Sequence, residues 1–294
     1  MLNARENDNG QTRFTRRRML QGAAAGLAAG PWIAPWCAQA ATPATKIRIG
    51  SCVLSLEQAK EAGLDGVEIG VGGPAEKLRI ADPAVRQEYK DQMKRTGLVV
   101  SSFMMGLLNS CPLASDPRAP AWLEQSIDAA KDLGAKVILV AFFGKGSLLE
   151  GRELKKADVD VVVQRLKAAA PRAAQAGVTL AIENTLSAEQ NVEILKRIGH
   201  EAVQIYYDVG NSTGMGYDVP AEIRFLKDRI AMFHFKDGPH YLGEGKVNFP
   251  PIAAAIQQIG YQGWIVMETS SPARKPVADA KRNAAYIRQL FKMA

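Results

Sequence analysis

The sequence predicts an α/β fold: a single-domain (β/α)8 TIM barrel, residues 41–294, that follows an N-terminal export signal, residues 1–40. From residue 46 onward, short β-rich apolar runs alternate eight times with longer segments of helical spacing. The strand runs are almost continuously apolar, as expected of parallel strands buried on both faces. The remaining length of about 250 residues matches one such barrel. An open doubly wound sheet is the alternative, but it would need no eighth repeat.

Residues 15–21 read Thr-Arg-Arg-Arg-Met-Leu-Gln and resemble the twin-arginine (Tat) export signal, with Arg16 and Arg17 as the pair. A stretch rich in Ala and Gly follows, and Ala-Gln-Ala at 38–40 is an A-x-A cleavage site. These features predict recognition by the Tat export machinery and a periplasmic mature protein. An uncleaved membrane anchor is the alternative, but prolines interrupt the stretch, and a spanning helix wants about 20 strongly apolar residues.

The predicted strands and helices alternate along the whole barrel segment. The strands are predicted at residues 47–51, 66–70, 98–103, 136–142, 178–183, 203–208, 230–235 and 264–269. The helices are predicted near 55–63, 82–96, 118–133, 155–176, 188–199, 219–228, 250–259 and 276–292. Six of these helices should end at a glycine, as C-terminal glycines commonly do. These glycines are Gly63, Gly97, Gly134, Gly177, Gly199 and Gly260.

Composition excludes several classes of protein. Apolar residues make up 47% of the chain and charged residues 23%, a globular balance that excludes a disordered or fibrous protein. The first 40 residues hold five Arg and two acids, which leaves 32 basic against 28 acidic residues and a net charge of +4. That scattered excess predicts no nucleic-acid partner. Three cysteines exclude a disulfide scaffold and a thiolate zinc site, while a pairing of Cys52 with Cys111 stays open.

Four consecutive predicted strands, the fifth to the eighth, each end in a potential metal ligand. These residues are Glu183, Asp208, His234 and Glu268. They are 25, 26 and 34 residues apart, about one βα unit each time. Reactive groups in such barrels project from the C-terminal strand ends, and each of the four shares side-chain parity with an apolar residue two positions earlier. All four can therefore point inward at one end of the barrel.

Three carboxylates and one imidazole form a hard, oxygen-rich set of ligands. Such a set suits Mn²⁺, Mg²⁺ or Co²⁺, with Zn²⁺ less preferred, and we expect one ion, Mn²⁺ first among these. Three carboxylates around one divalent ion leave a net charge of −1, so one of them can remain basic enough to move protons. A single strand-end acid would be interpreted as a helix cap or a salt bridge. Four at the same end favour a metal site, because burying them unpaired would be costly.

The C-terminal half then resembles a known family. The matching segments are 181–184 (AIEN), 207–211 (YDVGN), 233–237 (FHFKD), 242–245 (LGEG) and 259–268 (IGYQGWIVME). They are similar to the xylose isomerase-like barrels and, within these, to the sugar phosphate isomerase/epimerase group and the ketose 3-epimerases. The resemblance covers most of residues 46–292. It implies that the four ligand residues bind one divalent metal, and that Glu183 and Glu268 also exchange a proton of the substrate. The sequence departs from the epimerases after strand six, where Asn211 and Ser212 replace a frequent second His.

Lys236 is the third catalytic candidate. It lies two residues past His234 on the same strand face, where an ammonium group could stabilise an oxyanion formed by proton removal next to a carbonyl. The alternative is a salt bridge with Asp237 or Glu268. The sequence leaves these two interpretations equal.

Five further residues are candidates for contacts with substrate. Glu68 ends the second predicted strand with inward parity, and its alternative is a buried hydrogen-bonded acid. Asn184 and Asn211 would donate hydrogen bonds to sugar hydroxyls or else hold turns. Lys145 and His240 lie in predicted loops, where solvated loop residues are the alternative.

These observations predict a divalent-metal-dependent isomerase or epimerase of an unphosphorylated sugar or keto-sugar, acting by proton abstraction and a metal-stabilised enediolate. A sugar dehydratase or a 3-keto-glycoside lyase or hydrolase is the alternative, because both reactions begin with the same enolisation. An endonuclease of related barrels would gather several zinc ions with many more His than the three here. A non-catalytic sugar-binding barrel also stays open. The expected partner is a small carbohydrate, without nucleic acid, and a homo-oligomer is compatible with the sequence.

Overall fold

The computed structural model describes residues 46–293, and their architecture is a closed barrel of eight parallel strands in chain order. The strands β1–β8 are Arg48–Ser51, Gly66–Gly70, Val99–Met105, Val137–Ala141, Thr179–Glu183, Val203–Asp208, Ile230–Phe235 and Trp264–Met267. The last strand pairs in parallel with the first, which closes the sheet on itself. The predicted fold class is therefore confirmed. The predicted export signal lies outside the described residues.

Helices cover the outside of the barrel and separate its strands. Within residues 46–293 they are α1 to α9: Leu56–Glu61, Pro83–Thr96, Ala119–Leu133, Lys156–Ala176, Ala188–Ile198, Val209–Gly214, Val219–Leu226, Phe249–Gln258 and Pro276–Phe291. Short 3-10 turns lie at Arg79–Ala81, Gly106–Asn109, Gly144–Gly146 and Lys227–Arg229. All eight predicted helices are present. None of the helices in this part of the chain has the length and apolar character needed to cross a membrane.

Local sequence explains where these helices begin and end. Ser55 and Ser187 start α1 and α5, and each forms a capping box with a glutamine three residues later, so that two unpaired backbone N–H groups gain acceptors. All six glycines predicted to end helices have positive φ angles, such as +76° at Gly97 and +67° at Gly177. This left-handed conformation costs a residue with a Cβ more than it costs glycine.

Two elements of the structure differ from the sequence prediction. A short antiparallel ribbon, Leu149–Glu150 with Glu153–Leu154, stands between β4 and α4. Helix α6 begins directly after β6, where a loop was expected, because the side chain of Asp208 accepts a hydrogen bond from the Asn211 N–H at 2.6 Å and starts the helix.

The interior of the barrel is filled by an apolar layer beneath its C-terminal mouth. Its buried members are Val137, Leu139, Ala141, Ala181, Tyr206, Met232, Trp264 and Val266. Trp264 lies at the N-terminal end of the interior, and its ring comes so close to Gly66 that a Cβ there would stand 2.8 Å from it. The Arg48 guanidinium lies 4.4 Å from the centre of the same ring. The N-terminal end is therefore packed shut, and the polar residues lie at the other end.

Candidate active site

The four predicted metal ligands converge at the C-terminal mouth of the barrel. Glu183 and Asp208 are the last residues of β5 and β6, His234 is the penultimate residue of β7, and Glu268 follows the end of β8. Although β8 stops at Met267, the Glu268 N–H still donates to the Phe235 carbonyl at 3.1 Å and continues the ladder. Parallel register places these strand ends side by side, since Asp208 pairs with His234 across β6 and β7.

The distances within this cluster are those of a possible metal centre. The Nδ1 atom of His234 lies 2.9 Å from Oε1 of Glu183, 3.6 Å from Oε2 of Glu268 and 3.9 Å from Oδ2 of Asp208. One ligand atom from each of the four residues lies within 4.8 Å of the others. A single divalent ion could contact all four after small side-chain adjustments.

Asp208 provides an independent test of whether a cation fits. Its Oδ1 caps α6, whereas its Oδ2 is buried and has no hydrogen-bond partner within residues 46–293. The Lys236 ammonium lies 3.1 Å from Oδ2, but only as an ion pair whose angles fall outside hydrogen bonding. A buried carboxylate oxygen without a hydrogen bond is costly unless a cation compensates it. Lys236 supplies one positive charge at this oxygen but shares it with Glu268, so three carboxylates converge on one ammonium and one imidazole. The residues present therefore fit a hard divalent ion.

Lys236 forms salt bridges in the structure. Its Nζ lies 2.7 Å from Oε2 of Glu268 as well as 3.1 Å from Asp208. The predicted alternative of a salt bridge with Glu268 is thus present. The other named partner, Asp237, instead accepts backbone N–H groups of the loop that follows, including those of Gly243 and Gly245 at 3.0 and 2.8 Å.

The two candidate proton-transfer residues have different electrostatic environments. Burial raises the pKa of the Glu183 carboxyl to about 7, and the neighbouring His234 offsets this only in part. Burial also acts to raise the pKa of Glu268, but His234 and Lys236 outweigh it and leave that pKa below the ordinary value. Carboxyl groups whose pKa values are displaced in opposite directions can act as one proton donor and one proton acceptor.

The positive side chains of the cluster respond to the carboxylates around them. Burial alone would lower the pKa of His234, but Glu183 and Glu68 outweigh burial and raise the pKa well above its ordinary value. The same balance raises the pKa of Lys236, because Asp208 and Glu268 outweigh its burial.

Glu68 lies within β2 rather than at its end, which corrects the predicted position. Its Oε1 is 3.0 Å from Nε2 of His234, and its Oε2 accepts a hydrogen bond from the Ser102 hydroxyl at 2.7 Å. Neither the Glu68 side chain nor the His234 side chain has exposed surface. The geometry corresponds to the alternative interpretation, a buried hydrogen-bonded acid.

The two asparagines both have local hydrogen-bonding roles. The Asn184 side chain exchanges hydrogen bonds with Asn191 and accepts from the Leu186 N–H, so it holds the turn after β5. Asn211 stands in the first turn of α6, where its backbone N–H is capped by Asp208. Its side chain is half-buried.

His240 lies at the mouth of the barrel, whereas Lys145 does not share its cavity. His240 is exposed and lines a cavity of about 510 Å³ together with Lys236, Thr213 and Lys246. Lys145 is exposed in the 3-10 turn after β4 and is not among the residues that line this cavity. His240 therefore shares a cavity with Lys236, whereas the four candidate metal ligands are not among the residues that line it.

Sequence reasoning missed three residues near the cluster. Ser102 supports Glu68, and the Tyr206 ring packs against the His234 ring with centroids 4.4 Å apart. The only sequence signal for Ser102 was a pair of serines in the apolar run 98–103. Cys52 lies close to Glu68 and His234 with a free thiol, and burial raises its pKa to about 12. Cys111 is also free, so the pairing that the sequence left open is not formed.

Fold and site together define a (β/α)8 barrel with a carboxylate–histidine centre at its C-terminal mouth. The family model described as xylose isomerase-like TIM barrel matches residues 56–290. The chain belongs to this family, as the resemblance in its C-terminal half implied.

Several known proteins are similar to this chain over most of their length. The L-ribulose-5-phosphate 3-epimerase UlaE of Escherichia coli O157:H7 (strain EC4115 / EHEC) is 27% identical over 260 residues, covering 81% of this chain and 90% of that protein. The solved 3-keto-D-glucoside 4-epimerase YcjR from E. coli has a TM-score of 0.68 at 19% identity, covering 83% and 99%. A solved L-ribulose 3-epimerase has a TM-score of 0.67 at 22% identity, covering 84% and 95%. At these identities the structural likeness shows the fold.

Proposed function

We propose that this chain is a divalent-metal-dependent isomerase or epimerase that acts on a sugar or keto-sugar without a phosphate group. The observation that carries the proposal is the convergence of Glu183, Asp208, His234 and Glu268 from four consecutive strands into one cluster. The similarity to a curated sugar epimerase over 81% of the chain supports the same reaction class.

The four converging residues would hold the ion, with Mn²⁺ expected first among the hard divalent metals. When bound, such an ion supplies positive charge for the oxygens of a polarised carbonyl and a neighbouring hydroxyl. The protein supplies the ligands on rigid strand ends, which keeps their geometry fixed through the reaction.

The reaction itself requires proton transfer by side chains of this chain. Glu268 takes the proton from the carbon next to the carbonyl, and the electron pair of the broken C–H bond moves toward the carbonyl oxygen to give an enediolate. Glu183, from a strand separated from β8 by two others, returns a proton to the carbon from the other face, which inverts its configuration. Each turnover moves one proton from Glu183 to the product and one from the substrate to Glu268, and proton exchange of both carboxyl groups with solvent then restores the starting state.

Lys236 and the cavity residues complete the proposed site. The Lys236 ammonium, already 2.7 Å from Glu268, would stabilise negative charge that develops on a substrate oxygen. His240 lines the same cavity as Lys236, which supports a contact with the more distant hydroxyls of the sugar. For Asn184, Asn211 and Lys145 a substrate contact stays a prediction.

The absence of phosphate from the substrate is an inference from the sequence. No phosphate-loop pattern occurs in the chain, and an exported enzyme would meet few sugar phosphates. The curated relative is named for a phosphorylated ketose, so the test must include phosphate esters.

The experiment is a substrate screen in D₂O. The Mn²⁺-loaded protein is incubated with keto-sugars, glycosides and the phosphate ester of each sugar, and the products are followed by proton NMR. We expect an unphosphorylated keto-sugar to exchange one carbon-bound proton for deuterium and to yield its epimer, while chelator-treated protein leaves it unchanged. Loss of a β-substituent would identify the lyase or dehydratase instead. Turnover of phosphate esters alone would overturn the unphosphorylated substrate, and binding without any exchange would overturn the enzyme.

We further propose that the protein is exported by the Tat pathway to the periplasm. Residues 15–21 and the cleavage site at 38–40 support this. Changing Arg16 and Arg17 together to lysine should leave the precursor in the cytoplasm, as measured by fractionation and immunoblotting. Arg18→Lys is the matched control, because it keeps the pair intact. Normal periplasmic recovery of the double variant would contradict the Tat assignment.

A further inference from the structure

The partner of His234 on the side away from the metal ligands is Glu68. The two ring nitrogens face different carboxylates: Nδ1 lies 2.9 Å from Glu183, and Nε2 lies 3.0 Å from Oε1 of Glu68. Only Nδ1 faces the cluster of Glu183, Asp208 and Glu268. Glu68 is therefore the hydrogen-bond partner of the ring nitrogen that faces away from this cluster.

A neutral imidazole has an N–H donor at one ring nitrogen and a lone pair at the other. The hydrogen bond made by one nitrogen determines which of the two carries the proton. An acceptor at Nε2 keeps the proton there and leaves the lone pair of Nδ1 free for a metal. Metal-binding histidines commonly donate their other N–H to a carboxylate, which fixes the tautomer and the orientation of the ring. Glu68 lies at the position of such a carboxylate, within hydrogen-bond distance of Nε2.

We propose that Glu68 is a positioning residue for the metal centre: it accepts the Nε2–H of His234 and holds the ring with its Nδ1 lone pair directed at the cluster. This inference rests on the metal site of the proposed function. It replaces the substrate contact predicted for Glu68, because that side chain has no exposed surface with which to meet a substrate.

The backbone of the first half-barrel is shaped to hold Glu68 in this place. Val67 pairs with Val100, but Glu68 pairs with Ser102, so Ser101 is an extra residue in β3. Such a bulge re-aims the side chains beside it. Here it brings the Ser102 hydroxyl within 2.7 Å of the second oxygen of Glu68, while Ser101 bonds to the Val67 carbonyl at 3.0 Å.

The packing around the ring leaves His234 few alternatives to this orientation. Tyr206 covers one face of the ring, with the two planes at 56°. Both rings and the Glu68 carboxylate are buried. On the side away from the cluster, Nε2 lies 3.0 Å from its hydrogen-bond partner Glu68, with the Cys52 thiol close by.

The first experiment measures Mn²⁺ affinity without any substrate, by titrating the purified protein and following free Mn²⁺ by electron paramagnetic resonance. Loss of a carboxylate behind a metal-binding histidine typically costs about 10- to 100-fold in affinity. We expect Glu68→Gln, which keeps size and shape, to weaken Mn²⁺ binding by about 10-fold or more. Ser102→Ala should weaken it less, since the carboxylate remains.

Glu222→Gln is the matched control. Glu222 is another buried carboxylate with two hydrogen bonds, from the Tyr207 hydroxyl at 2.7 Å and the Ala188 N–H at 2.8 Å, and it contacts none of the metal-type residues. It should leave Mn²⁺ affinity unchanged. An unchanged affinity in Glu68→Gln as well would overturn the positioning role. A higher KM for the substrate with unchanged Mn²⁺ affinity would instead indicate that Glu68 contacts the substrate.

The second experiment observes the ring directly. The chain contains only three His, so ¹⁵N-histidine NMR of the Zn²⁺-loaded protein resolves each of them. We expect His234 to carry its proton on Nε2 with Nδ1 bound to Zn²⁺, and Glu68→Leu, if it folds, to lose that fixed tautomer. A ring bound through Nε2 overturns the inference.

The two proposals fail in distinguishable ways. A wild-type protein that binds no divalent ion overturns both the metal site and the role of Glu68. A protein that binds Mn²⁺ and depends on Glu68 for it, but exchanges no deuterium with any sugar, overturns the proposed reaction alone.

Discussion

The two halves of the barrel have the same architecture but contribute different chemistry. Strands β5 to β8 each end in a residue that can bind a metal, whereas β1 to β4 contribute the buried pair Glu68 and Ser102 behind His234. Residues from β5 to β8 would thus contact the ion, while two strands of the first half, β2 and β3, would hold one of its ligands in place. The symmetric backbone thus carries an asymmetric set of polar side chains, with candidate ligands on one half and the partner of a ligand on the other.

The largest expected effect is the loss of the metal on removal of the only imidazole ligand in the second half. His234→Ala should greatly lower metal occupancy, because the cluster then offers only carboxylates and loses its nitrogen. Elemental analysis of the purified protein measures this. His240→Ala, in an exposed loop, should keep full occupancy. Full metal occupancy in His234→Ala would mean that the ion binds elsewhere. It would also contradict the assignment of the metal ligands to the second half of the barrel.

The next effect concerns proton transfer in the same half. Glu268→Gln keeps the size of the side chain and one oxygen for the metal but removes the basic carboxylate. General acid–base groups typically contribute about 10²- to 10⁴-fold, and we expect turnover to fall by that factor while substrate affinity changes far less. Deuterium incorporation followed by NMR measures it, with Glu201→Gln on the exposed surface as control. Exchange at the wild-type rate would leave Glu268 as a ligand only and direct the search for a base to Lys236.

A substitution in the first half of the barrel tests whether the stability of the fold can be lowered without a change in metal affinity. Leu139 of β4 is fully buried in the interior layer below the cluster, and Leu139→Ala should lower the free energy of unfolding by about 2–5 kcal/mol. Urea denaturation measures this, and Val99→Ala, 40% exposed on β3, should change it by about 0.5 kcal/mol or less. Mn²⁺ affinity of folded Leu139→Ala should be retained. A large loss of affinity would show that the interior layer also sets the geometry of the site.

The smallest effect is electrostatic and lies on the loop between β3 and α3. Hydrogen bonds from Arg118 lower the pKa of Asp116 to about 2, against about 3.9 in an unfolded chain. Because the folded pKa is the lower one, the stabilisation is complete above about pH 4 and is lost as the pH falls through 2. Asp116→Asn should cost about 1 kcal/mol or less at pH 7, as ion pairs near the surface do, and clearly less at pH 2, where the carboxyl of the wild type is about half protonated. Urea denaturation at both pH values checks this, and an equal loss at both would contradict the electrostatic cause.

The barrel could be predicted because its signals are local and repeated. Each strand is a short apolar run, and six helices are followed by a glycine whose positive φ the structure confirms. The convergence of Glu183, Asp208, His234 and Glu268 could be predicted for the same reason, since parallel strands bring their ends to one edge. To predict this convergence, it was enough to know that each side chain points into the barrel and lies near the C-terminal end of its strand.

The contacts of the site could not be predicted in the same way. Glu68 and His234 are 166 residues apart, and nothing in either segment indicates the other. The bulge at Ser101 depends on the pairing of β2 with β3, so the register that brings Ser102 to Glu68 is a tertiary property. Helix α6 was missed because the side chain of Asp208 both starts the helix and faces the cluster, two roles that its position does not reveal.

Within residues 46–293, the packing of Trp264 on Gly66 closes the N-terminal end of the barrel and leaves the C-terminal mouth as its opening. With the N-terminal end filled by this ring and the apolar layer above it, any molecule that reaches the carboxylates arrives through the C-terminal mouth and leaves the same way. Arrival of the next substrate and departure of the product then exclude each other, so product at high concentration should inhibit competitively. Under the proposed function, only a terminal unit of a long glycan could reach the carboxylates, because a chain cannot thread through a barrel closed at one end.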